Sequence, residues 1–125
     1  MCKQILIVDD QDAIRELLRL TLASFHDCKL YEADNSDEAM RLINDVRPDL
    51  VLLDVMLPGT MDGYQLCERI KSNAQTRSIV VVLLTARAQQ SDIEKGGAVG
   101  ADDYIVKPFS PGQLKQRITE ICDNL

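Results

Sequence analysis

Three short aliphatic stretches set the frame: residues 4–8 (QILIV), 50–53 (LVLL) and 79–84 (IVVVLL), each stopping at polar or turn-forming residues. A run this short that is apolar on both of its faces suits a central strand of a parallel sheet, covered by helices above and below; a strand with one wet face alternates instead. Residues 29–33 (KLYEA) do alternate, and residues 104–106 (YIV) are brief, so both read as edge strands. Between these five strands, β1 to β5 in chain order, the apolar spacing turns helical. Ile14, Leu17, Leu18, Thr21, Leu22 and Phe25 share one face (α1), and Ala39, Leu42, Ile43 and Val46 share another (α2) that ends before Pro48. Leu66, Cys67 and Ile70 predict a short α3 starting near Asp62 and Gly63. Residues 89–99 predict α4, and Leu114, Ile118, Ile121, Cys122 and Leu125 make the stripe of α5. Asn35 with Glu38, and Ser110 with Pro111 and Gln113, are helix-start signals. Gly96 and Gly97 each disfavour helix by about 1 kcal/mol relative to Ala, so α4 is expected to be short, frayed or mobile.

Five strands alternating with five helices fold into a parallel sheet through right-handed crossovers, an α/β doubly wound architecture. The wholly apolar β1, β3 and β4 belong at the centre and β2 and β5 at the edges, which matches the flavodoxin-like strand order 2-1-3-4-5. A chain of 125 residues is read as a single domain spanning 1–125.

The net charge of −6 and pI near 4.7 argue against a broad nucleic-acid surface, which needs clustered Lys and Arg. Asp9 and Asp10 interrupt the first apolar run where a signal peptide needs small uncharged residues, and nothing approaches the roughly 20 apolar residues of a membrane helix. A soluble, cytoplasmic protein is expected. Cys2, Cys28, Cys67 and Cys122 form no CxxC pair, and His26 is the one histidine, so free thiols are expected rather than a zinc site. His26 itself reads as an ordinary residue near the end of α1.

The chemistry gathers at strand ends. Asp9 and Asp10 follow β1, Asp54 follows β3, Thr85 follows β4 and Lys107 follows β5. In an open parallel sheet these ends lie on one rim, where ligand sites form. Each residue has a bland reading alone: a capping Asp, a strand-end Thr, a surface Lys. Five of them from four strands at one rim read as a site. Three carboxylates about 5 Å apart would repel by roughly 3 kcal/mol per pair at an effective dielectric of 20, so a cation is needed, and Mg²⁺ suits an all-oxygen set.

Those residues, with the strings ILIVDD, PDLVLLD, MDG, LLTA and GADDYIVKPF, resemble the receiver domain of two-component response regulators over essentially the whole chain. The resemblance implies a phosphorylation-dependent signalling switch and not an enzyme with an outside substrate. By it, Asp54 is the phosphoacceptor, and Asp9, Asp10, Asp54 and the backbone carbonyl of Met56 hold Mg²⁺. Thr85 and Lys107 contact the phosphoryl group, Thr85 and Tyr104 form the switch, and the Lys107–Pro108 bond is cis. The sequence departs from the family pattern twice. The loop PGTMDG is one residue longer than the usual Pro-x-Met-Asp-Gly spacing, and Gly97 stands where a bulkier apolar residue is common.

The resemblance further implies a histidine kinase or histidine phosphotransfer protein as donor and a downstream protein target reached through the α4-β5-α5 face. No helix-turn-helix follows α5, so output through protein contacts is expected, with no direct nucleic-acid binding by this domain, unless these 125 residues are cut from a longer regulator. No membrane contact is expected, and the domain is read as a monomer or a phosphorylation-dependent dimer. Two other classes compete. A haloacid-dehalogenase-like phosphohydrolase also uses a strand-end Asp, but it usually carries a second Asp two positions on, where Met56 stands. A non-phosphorylated interaction domain of the same fold would not respond to Mg²⁺ and a phosphoryl mimic.

Overall fold

The computed structural model describes residues 3–25, 28–86 and 90–124. The elements are β1 (Gln4–Val8), α1 (Asp12–Leu22), β2 (Lys29–Ala33), α2 (Ser36–Val46), β3 (Leu50–Asp54), α3 (Gly63–Ser72), β4 (Val80–Thr85), α4 (Gln90–Ala98), β5 (Asp103–Val106) and α5 (Pro111–Asp123). All five strands form one parallel sheet in the order β2-β1-β3-β4-β5. The expected architecture and strand order are therefore present.

Strand side chains alternate between two cores, which is why the central runs must be apolar throughout. Leu6, Val8, Val51, Leu53, Val81 and Leu83 face a layer that includes Ala39 and Ile43 of α2 and Leu66, Cys67 and Ile70 of α3. Ile5, Ile7, Leu50, Leu52, Val82 and Leu84 face the other way, toward Leu18 and Leu22 of α1 and Leu114, Ile118 and Cys122 of α5. Each fully buried Leu, Ile or Val contributes about 1.5–3 kcal/mol relative to exposure, so these two layers fix the sheet register. A polar residue also helps align it: Asp49 Oδ2 accepts from the backbone N–H groups of Lys3 and Gln4 at 2.8 and 2.9 Å, tying the start of β3 to that of β1.

The helix starts are built as the sequence signals them, with one addition. The Asn35 side chain accepts from Glu38 N–H, and the Ser110 side chain accepts from Gln113 N–H. Asp62 and Gln65 form a full reciprocal capping box at the start of α3, a pairing not anticipated although Asp-x-x-Gln was there to be read. Both glycines fit within the nine-residue α4. Among the described residues no helix is long and apolar enough to cross a membrane.

The cysteines need a correction. Cys67 is a buried free thiol as expected and Cys28 a half-buried free one, but Cys122 is disulfide-bonded. Sequence spacing tests for metal pairs and local bridges; it carries no information about which distant cysteines the fold brings together. His26 and Cys2 lie outside the described residues.

Candidate functional site

At the carboxyl ends of β1 and β3, ligand oxygens of Asp9, Asp10 and Asp54 lie within 4.8 Å of one another. The strands impose this proximity: Val8 pairs with Leu53 in register, so the residues that follow each are delivered to the same rim. Asp9 is fully buried, Asp54 nearly so, and Asp10 is exposed, so the cluster is closed below and open to solvent at one acid. Asp9 is held on several sides. Its Oδ1 accepts from Gln11 N–H at 2.9 Å, its backbone N–H donates to Ala33 O at 3.1 Å, and its carbonyl accepts from the Arg15 guanidinium at 2.7 Å.

Lys107 reaches the cluster from the position directly after β5, and the bond that follows it, Lys107–Pro108, is cis. Its Nζ lies 2.8 Å from Asp9 Oδ2 and 3.5 Å from Asp54 Oδ1, so its hydrogen bond goes to Asp9. One ammonium against three carboxylates leaves two negative charges uncompensated. The donor set is all oxygen, compact and partly open, which fits a hard divalent cation such as Mg²⁺ that retains several waters.

Asp54 sits at the end of a wholly buried strand, and its environment works on its charge in both directions. Burial raises its pKa above the ordinary value of an aspartate. The Met56 N–H, donating to Asp54 Oδ1 at 3.1 Å, counteracts this, Asp9 adds to the rise, Lys107 opposes it, and Asp10 adds again. An acid whose ionised form is held at a cost is one that a cation or a covalent change at the oxygen would relieve.

Thr85 ends β4, one position beyond Leu84, which pairs with Asp54. It lines two spaces. One is a groove it shares with Tyr64, Lys95 and Met56, whose side chain is exposed while its N–H donates to Asp54. The other is a cavity of about 240 Å³ under α4, bounded by Leu83, Ile93, Gly96 and the half-buried Tyr104. Thr85 therefore shares one space with Met56 and another with Tyr104.

Three further contacts around the site gave no local signal. Arg15 supports the Asp9 carbonyl, Lys95 of α4 lies 4.5 Å over the Tyr64 ring of α3 at the edge of the groove, and Ser36 is fully buried against the loop after β3. Each acts through a contact between elements distant in sequence.

Residues 5–119 match the response regulator receiver domain family. The chain belongs to that family. Its relatives include the phosphate regulon transcriptional regulatory protein PhoB of Pseudomonas aeruginosa, 44% identical over 120 residues covering 95% of this chain and 51% of that protein. The transcriptional regulatory protein ResD of Bacillus subtilis is 41% identical over 115 residues, covering 92% of this chain and 46% of that one. The chain thus spans about half the length of the curated relatives it matches. Among solved structures, a putative response regulator from Chloroflexus aurantiacus superposes with a TM-score of 0.87 at 36% identity, covering 97% of this chain and 98% of that one. A BeF3-activated DrrB receiver domain superposes with a TM-score of 0.86 at 29% identity, covering 98% and 99%. Receiver domains are signalling switches and not enzymes in the ordinary sense, and they bind Mg²⁺ at an acidic pocket; the acidic cluster of this receiver domain is the one described above.

Proposed function

We propose that this receiver domain takes a phosphoryl group on Asp54 from a phosphohistidine donor in the presence of Mg²⁺, and signals by reshaping the face made by α4, β5 and α5. The observation that carries the reading is the meeting of Asp9, Asp10 and Asp54 within 4.8 Å beside the Lys107 ammonium. Asp9, Asp10, Asp54 and the Met56 carbonyl would hold the ion. When bound, Mg²⁺ supplies positive charge against the three acids and the incoming phosphoryl oxygens.

The chain's own groups account for the rest. An Asp54 carboxylate oxygen attacks phosphorus, the oxygen–phosphorus bond forms as the nitrogen–phosphorus bond of the donor imidazole breaks, and the imidazole leaves as the phosphorus changes partner. Lys107, already 3.5 Å from Asp54, offsets charge on the phosphoryl oxygens. The Thr85 hydroxyl donates to one of those oxygens. As Thr85 turns toward the phosphoryl group, the Tyr104 ring moves into the cavity under α4, where Gly96 leaves room. Driving such a surface from 1:99 to 99:1 takes about 5.5 kcal/mol of differential stabilisation. The domain catalyses no turnover beyond its own phosphorylation and dephosphorylation.

As partners we propose a histidine kinase or phosphotransfer protein upstream and a protein contact downstream, in a cytoplasmic setting, with the domain monomeric or dimerising on phosphorylation. Incubation with a small acyl phosphate and Mg²⁺ should add one phosphate per chain, read by intact mass. Uptake should vanish without divalent ion and in Asp54→Ala. Undiminished incorporation in Asp54→Ala would overturn the assignment.

A further inference from the structure

The loop between β3 and α3, residues 55–62, is fixed at two places. At its base Val55 N–H donates to Leu84 O, and Gly63 N–H donates back to Val55 O, both at 3.1 Å. At its tip the loop rests on the first turn of α2. Ser36 N–H donates to Pro58 O at 3.0 Å, Ser36 Oγ accepts from Met61 N–H at 3.1 Å, and Thr60 Oγ1 donates to Asp37 Oδ1 at 2.8 Å. Contact at the tip is direct: Gly59 has φ +114°, and a Cβ there would fall 2.3 Å from Ser36 Oγ and 3.0 Å from Ser36 N. Only glycine permits both that conformation and that approach. Ser36 is wholly buried, a place where a hydroxyl persists only with its hydrogen bonds made.

We infer that Ser36 and Asp37 are positioning residues that hold this loop ready to present the Met56 carbonyl to the metal. The inference rests on the reading of Asp9, Asp10, Asp54 and Met56 as the metal site. Its physical basis is preorganisation. Fixing each backbone residue of a free loop costs conformational entropy, and a loop already fixed does not add that cost to ion binding. The extra residue in PGTMDG makes the point acute here, because a longer loop has more freedom to lose; Gly59 turns that residue onto α2 instead of leaving it loose. The anchor should therefore act on metal affinity and leave the phosphoryl-transfer step alone once the site is saturated.

The test is Mg²⁺ titration of the full chain, followed by amide chemical shifts, for the wild type, Ser36→Ala and Thr60→Ala. Ser36→Ala should bind Mg²⁺ about five- to tenfold more weakly and Thr60→Ala about twofold, the losses expected for one buried and one exposed hydrogen bond. The limiting rate of phosphate uptake from an acyl phosphate at saturating Mg²⁺ should stay at the wild-type value. Were Ser36 merely part of the scaffold, its variant would melt earlier and bind Mg²⁺ as the wild type does, which would overturn the proposal. Should Ser36→Ala fail to fold, Thr60→Ala decides alone, and unchanged affinity there is fatal. A wild type that binds no Mg²⁺ would instead remove the underlying reading of the site; binding by the wild type with unaltered variants removes only the anchor.

Discussion

Asp54 combines two demands that conflict. Its position at the end of a buried strand takes its carboxylate out of water, and Asp9 and Asp10 crowd it with like charge, while the Met56 N–H and Lys107 give back part of the loss. The sign of the linkage follows. A pKa raised in the folded state means that the native protein holds its proton to higher pH than the unfolded chain does, so stability falls as pH rises from the unfolded value of about 3.9 through the folded one. Asp54→Asn should therefore raise the melting temperature at neutral pH in chelator-treated protein, and the gain should shrink on acidification. Differential scanning calorimetry at several pH values measures this. A variant that melts below the wild type at every pH would show that the favourable contacts of the charged carboxylate, with Met56 N–H and Lys107, outweigh its burial.

Helix α4 is the element where local propensity and fold disagree most. Two consecutive glycines lie within nine helical residues, yet the two are not equivalent. A Cβ at Gly96 would meet Leu83 Cδ1 at 3.2 Å, so that position carries a packing constraint; at Gly97 nothing lies within 4 Å. Gly97→Ala should stabilise the domain by about 1 kcal/mol, since helix propensity is regained at no steric cost, and the gain at Gly96→Ala should be smaller. Urea denaturation resolves the difference. Gly63, at the start of α3, is the opposite case: an added Cβ would fall 2.1 Å from Asp54 O and 2.6 Å from Val55 Cα, both rigid backbone. Close approach, not flexibility, is why glycine stands there.

For the whole molecule, the acidic rim is the place where a small ligand can stabilise everything beneath it, because β1 and β3 are neighbours at the centre of the sheet and both hydrophobic layers rest on them. An ion that binds the folded chain and not the unfolded one at a hundred times its Kd adds about 2.7 kcal/mol. Mg²⁺ should thus raise the wild-type melting temperature, and Asp9→Asn should lose most of that increment; an equal rise in both would place the ion elsewhere. The amino-acid sequence by itself determined the architecture, because strand and helix periodicity are local properties and the wholly apolar runs could be buried only at the sheet centre. It also placed Asp9, Asp10, Asp54, Thr85 and Lys107 on one rim, since strand ends of a parallel sheet share a side. The tertiary structure alone decided the contacts that join distant segments: Lys107 bonding to Asp9 rather than Asp54, Arg15 beneath Asp9, Cys122 in a disulfide, and Ser36 under the loop of residues 55–62. A serine one place after a helix cap carries the same local signal whether its hydroxyl meets water or the backbone of Met61, 25 residues on; only packing α2 against that loop distinguishes the two.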